Sequence, residues 1–109
     1  MRIENVPFAA LHWESQPAVT QPGKSGLAVV KTVQPGEICV RKIDFTPGYC
    51  ADHWCSKGHI GLVLSGSLSI RLEKGDVFEI LAGDSFHVGD DQDRHRAESH
   101  FGATVFVID

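Results

Sequence analysis

Ser67-Leu68-Ser69-Ile70-Arg71-Leu72-Glu73 alternates polar and apolar residues without a break. Successive side chains of an extended chain point to opposite faces, so Leu68, Ile70 and Leu72 share one face. Ser67, Ser69, Arg71 and Glu73 share the other, which predicts a strand with one dry and one wet side. The segment His59–Glu73 that contains it is broken only by Ser65-Gly66. Downstream, Lys74-Gly75-Asp76 and Ala82-Gly83-Asp84 bound two short strands, Val77–Leu81 and Ser85–Val88. His95–Ser99 and Ala103–Ile108 follow. Upstream, Leu27–Gln34 ends at the turn pair Pro35-Gly36 and Glu37–Phe45 ends at Pro47-Gly48. No window carries an apolar stripe of helical period with caps. Short strands at close spacing, punctuated by Gly and Pro, predict an all-β sandwich or barrel. The last strand is apolar on both parities, so it lies inside the sandwich or under a partner subunit.

Residues 1–25 differ from the rest. Pro7, Pro17, Pro22 and Gly23 fall among mixed polar residues, which predicts an N-terminal arm with one short strand near Val6–Trp13. Residues 26–109 then form the barrel.

Composition narrows the function classes. The 109 residues are 42% hydrophobic and 22% charged, as in an ordinary globular domain. Ten Lys and Arg against fourteen Asp and Glu give a net charge of −4, which argues against nucleic acid or an anionic membrane as partner. No run approaches the roughly 20 apolar residues of a spanning helix. Met1–Pro7 holds an acid and a proline where a signal peptide needs an apolar run, so a cytoplasmic location is expected. Three cysteines, an odd number, are then reduced thiols.

Chemistry-bearing residues gather at 52–59 and at 95. His53 and Cys55 are two apart on a presumed strand and so share a face. Ser56-Lys57-Gly58 makes a turn, after which His59 faces back across the hairpin. His95 opens a later strand after the loop 89–94. Imidazole and thiolate are ligands for a divalent transition ion, which would draw them to about 2.0–2.3 Å. The rival reading is a barrel in which these residues only pack or hydrogen-bond. Cys50 has the wrong parity relative to His53 and, like Cys39, reads as a packing thiol. His12, His87 and His100 read as surface residues, and Asp90, Asp91 and Asp93 as a solvated loop. Trp54, between two presumed ligands, should face away from them. Arg41 shares parity with Cys39, Ile43 and Phe45. If that set faces the barrel, Arg41 is an inward guanidinium suited to anchoring a substrate carboxylate; if the other set does, it is merely exposed.

This arrangement resembles the cupin superfamily. Gly48, His53, Cys55, His59 and Gly66 follow the frame of the first cupin motif closely, with four residues instead of five between Gly48 and His53, Cys55 in place of its second histidine and His59 in place of its glutamate. Gly83-Asp84 and His95 follow the second motif with one inserted residue and without its Pro-x-Gly. Asp52-His53-Trp54-Cys55 with Lys57-Gly58-His59 also looks like the small DHCW-motif cupins. That likeness runs from Phe8 and Trp13 through Gly48-Tyr49 and His95-Arg96 to Asp109. The resemblance implies a single-domain jelly-roll barrel, often a homodimer, with one metal ion held inside by His53, Cys55, His59 and His95. Thiolate and imidazole favour Zn²⁺ or Fe²⁺. It implies no particular reaction. Two function classes stay open: a mononuclear metalloenzyme acting on a small polar molecule, and a non-catalytic binding or sensor module with a structural or lost metal.

Overall fold

A computed structural model describes residues 2–109. After an extended arm and a 3-10 turn at Trp13–Ser15, the chain forms β1 (Val19–Pro22), β2 (Leu27–Val33), β3 (Val40–Phe45), β4 (Tyr49–Cys50), β5 (His59–Leu72), β6 (Val77–Leu81), β7 (Ser85–Val88), β8 (His95–Ser99) and β9 (Ala103–Ile108). Every pairing is antiparallel. One sheet runs β1-β2-β3-β9-β5-β7 and the other β6-β5-β8-β4. β5 is therefore shared: its first half pairs with β7 and β9, its second half with β6 and β8. The two sheets curl toward each other and enclose Val30, Ile43, Val63, Leu68, Ile70, Val105 and Val107, all buried.

The shared strand is not regular. Pairing with β9 shifts register between Val63 and Ser65. One extra residue in β5 inverts the side-chain parity beyond it. Val63 and Leu68 are thus both buried, although five positions apart. Before the bulge the odd residues His59, Gly61 and Val63 face inward; after it the even residues Leu68, Ile70 and Leu72 do. The aliphatics Ile60, Leu62 and Leu64, which an unbroken alternation would place with Leu68, stand on the outer face and are 50%, 39% and 46% exposed.

Most strands fall where the alternation and turn residues put them. The short strand of the N-terminal region is Val19–Pro22, paired with β2, whereas Val6–Trp13 forms none. Trp13 packs edge-on against Phe106 of its own last strand, ring centroids 6.2 Å apart. β3 begins at Val40, not Glu37, because the Ile38 amide bonds back to the Pro35 carbonyl and prolongs the turn. Residues 51–58 are not a strand: β4 ends at Cys50, and Cys55 alone is bridged, to His95.

Gly66, just past the bulge, has φ +73°, and a Cβ there would lie 2.1 Å from the Gly102 carbonyl oxygen. Gly83 also has positive φ, but a Cβ there meets nothing. Gly66→Ala should therefore destabilise by at least about 2 kcal/mol, lowering Tm by roughly 10 °C, and Gly83→Ala by clearly less. Thermal unfolding of the two variants beside the parent checks this.

Candidate metal centre

The bulge and the Cys55 bridge build one cluster. Cys55 and His95 exchange both backbone hydrogen bonds, Cys55 N to His95 O at 2.7 Å and His95 N to Cys55 O at 3.0 Å. His59, turned inward at the start of β5, lies beside them. One donor atom from each of Cys55, His59 and His95 falls within 4.8 Å of the others. Cys55 Sγ is 3.4 Å from His59 Nε2, and the two imidazoles meet edge to face at 5.2 Å.

The surroundings fix how each ring presents itself. His95 Nδ1 donates to the Asp93 carbonyl at 2.8 Å, which leaves Nε2 as the unprotonated nitrogen. That Nε2 is buried and has no hydrogen-bond partner. His59 Nδ1 donates to Asp109 Oδ2 at 2.8 Å, so its Nε2 also turns a lone pair toward the cluster. An orphaned buried acceptor beside a second lone pair and a thiol is the donor set that a transition ion satisfies. A carboxylate or carbonyl behind each ring is how metal-binding histidines are oriented. Burial lowers the pKa of His59, although the hydrogen bond and charge of Asp109 oppose it. The ring is thereby biased to its neutral, ligating form.

Asp109 anchors this arrangement. It follows Val105 and Val107 at inward parity, and its side chain is 1% exposed. Oδ2 accepts from His59 and from Arg41 Nη2 at 2.5 Å, while Lys57 Nζ stands 3.3 Å from Oδ1. Burial alone would raise the Asp109 pKa. The His59 hydrogen bond and the charges of Arg41 and Lys57 outweigh it and hold the carboxyl below its usual range. In the sequence Asp109 is marked only as the last residue of the likeness to the DHCW-motif cupins. An acidic residue continuing the inward parity of an apolar strand was the signal available.

Of the four residues expected to converge, the structure gathers Cys55, His59 and His95 and leaves His53 apart. The expectation rested on strand alternation between positions 53 and 55, and no strand forms there. His53 is 78% exposed and donates from Nδ1 to Asp52 Oδ1 at 2.6 Å, a bond that holds the Asp52 pKa down. Arg41 faces inward with Ile43. Trp54 lies under the Arg96 guanidinium, 4.5 Å from ring centre to carbon. Asp90 is no idle loop residue: its Oδ1 accepts the Gly58 amide at 2.6 Å, and the Asp91 amide donates to the Ser56 carbonyl at 2.8 Å. These bonds tie the 56–58 turn to the loop before His95. Cys39 and Cys50 are free thiols outside the cluster.

Cys55, His59 and His95 open onto a cavity of about 180 Å³ between the sheets, walled by Val30, Ile43, Phe45, Leu68 and Phe86, with Arg41 on its side and His53 at its rim. Among the described residues no helix is long and apolar enough to cross a membrane.

No protein-family model matches the sequence, and no curated protein matches it. Solved structures do match in fold. One from Thermotoga maritima, described as a predicted oxalate decarboxylase, aligns with TM-score 0.78 at 13% identity over 92% of this chain and 96% of its own. A sugar phosphate isomerase from a cupin superfamily, from Silicibacter pomeroyi, aligns with TM-score 0.70 at 15% identity over 92% and 74%. Ectoine synthase from P. lautus aligns with TM-score 0.71 at 9% identity over 93% and 76%. Identities this low speak for the fold alone. Two curled antiparallel sheets sharing a bulged strand, together with these neighbours, make the chain a single-domain jelly-roll barrel of the cupin fold.

Proposed function

We propose that this chain is a small stand-alone metal-binding cupin, with one divalent transition ion held by Cys55, His59 and His95. The observation that carries the reading is the buried, unpartnered His95 Nε2 facing a thiol and a second imidazole. Two neutral histidines and one thiolate total −1, which leaves a divalent ion at about +1. Sulfur and imidazole donors favour Zn²⁺ or Fe²⁺ over harder ions. Three protein donors also leave a tetrahedral ion one position short of closure, as in catalytic sites and unlike structural ones. This favours a mononuclear metalloenzyme acting on a small polar molecule over a binding or sensor module with a structural ion. Bound there, the ion would supply Lewis acidity or dioxygen activation. The protein's own part would be to orient the two imidazoles through Asp93 and Asp109 and to exclude bulk water with the apolar wall. The likeness to DHCW-motif cupins rests on the sequence motif, and a cytoplasmic location on the three free thiols.

Purified protein should carry close to one equivalent of zinc or iron per chain by elemental analysis. His95→Ala and Cys55→Ser should each weaken Zn²⁺ binding at least tenfold, and Asp109→Asn about 10- to 100-fold through loss of ring orientation. Cys39→Ser, Cys50→Ser and His53→Ala should leave it unchanged. Metal affinity equal in all six variants would return the cluster to a packing role. A loss confined to His53→Ala in the second group would make His53 a fourth ligand.

We also propose a homodimer through the outer face of the β1–β7 sheet. Ile60, Leu62 and Leu64 form an exposed aliphatic row there, beside Phe106 on the last strand. Sedimentation should give a dimer mass that Leu62→Glu converts to monomer. A monomer mass for the parent at all concentrations would count against it.

A further inference from the structure

The cavity beside the metal cluster is unusual in its charge. Its ionisable lining residues are Arg41, Arg96, Tyr49, Cys55 and three histidines, with no Asp or Glu, in a protein whose net charge is −4. Arg96 is stacked on Trp54 with Nε 3.5 Å from Glu98 Oε1 and, like Arg41, has a buried Nε without a hydrogen-bond partner. Arg41 is the one joined to the metal cluster, through Asp109 and His59. A guanidinium has five N–H donors, and Asp109 takes one of them from Nη2. Its Nε is buried without a hydrogen-bond partner. Asp109 is shared as well: its carboxylate also accepts from His59 and pairs with the half-exposed Lys57.

A cation left short of partners beside an apolar cavity favours an anion that can take its remaining donors. The planar guanidinium fork matches a carboxylate, and Asp109 shows that it accepts one. The walls select the remainder of the molecule. Ile43, Phe45, Phe86 and Val105 offer hydrocarbon contact, and beyond the histidines, Cys55 and the two arginines only Gln21 and Tyr49 bring hydrogen-bonding side chains to the lining. A sugar would find few partners for its hydroxyls, and a hydrated inorganic oxyanion would have to shed water against hydrocarbon. The volume of about 180 Å³ equals some six water molecules at roughly 30 Å³ each, room for a body of a few carbons.

We propose that the cavity binds a small organic carboxylate with an apolar body, its carboxylate on Arg41 and its hydrocarbon on the barrel wall toward the metal cluster. The proposal rests on reading this cavity as the ligand site of the metal-binding barrel, and it gives that site its substrate class.

The test is calorimetric titration of the full chain, zinc-loaded and chelator-treated, with butyrate, butyramide, butylammonium and inorganic phosphate. Butyrate should bind at least about tenfold more tightly than the other three, the size expected of hydrogen bonds to a charged group. Arg41→Gln should lose that preference for butyrate over butyramide, even where the loss of its ion pair with Asp109 lowers Tm or zinc content. Equal affinity for butyrate and butyramide in the parent, phosphate binding as tight as butyrate, or an undiminished preference in Arg41→Gln would each overturn the proposal. The comparison of acid with amide needs no variant, so it stands even if Arg41→Gln folds poorly. Failure of the metal reading shows separately, as absent zinc binding, because the chelator-treated arm still reports on Arg41.

Discussion

One extra residue in β5 decides which side of the protein its chemistry falls on. Between Val63 and Ser65 the strand slips against β9, and inward parity passes from odd to even positions. Without that slip, a strand that buries Leu68, Ile70 and Leu72 would turn His59 to solvent and press Ile60, Leu62 and Leu64 into the core. The slip also comes where β5 leaves one sheet for the other, so closure of the barrel and direction of the histidine share one local irregularity. Gly66, at positive φ against the Gly102 carbonyl, occupies a backbone position beside the slip that tolerates no side chain.

The contrast between legible and illegible parts of the sequence follows from this. Strands bounded by Gly-containing turns, such as Val77–Leu81 and Ser85–Val88, could be read directly because turn chemistry and alternation are local. The wet face of Ser67–Glu73 was legible for the same reason. A bulge leaves no local mark beyond Ser65-Gly66, because it is a relation between two strands far apart in sequence. The inward turn of Arg41 was equally undecidable from its own strand, where both parities carry apolar residues. It is settled by Val30 and Val105, which bury Ile43 between them.

The site shows the same division. Cys55, His59 and His95 were recognisable as donors by residue type and by their likeness to the cupin motifs. His53 was grouped with them on the assumption of a strand through positions 53–55, where the chain instead bends after Cys50. Asp109 is marked in the sequence only as the end of the family likeness, because its importance comes from what surrounds it. A carboxylate buried beside His59, Arg41 and Lys57 is stabilised by all three. Removing any partner would leave the others to carry an imperfectly compensated charge in a low-dielectric setting.

The reciprocal amide bridge between Cys55 and His95 has an entropic meaning. These two donors are 40 positions apart, and confining a flexible segment of that length costs about 3 kcal/mol in chain entropy on the logarithmic scaling of loop closure, beyond a constant term. In a peptide that folds around its ion, metal binding itself must overcome that cost. Here two backbone hydrogen bonds, within a loop already tied to its neighbour through Asp90 and Asp91, hold the pair together as part of the barrel. The binding free energy of an arriving ion is then free to express differences in donor chemistry and in what else it can bind, because none of it goes into gathering the chain.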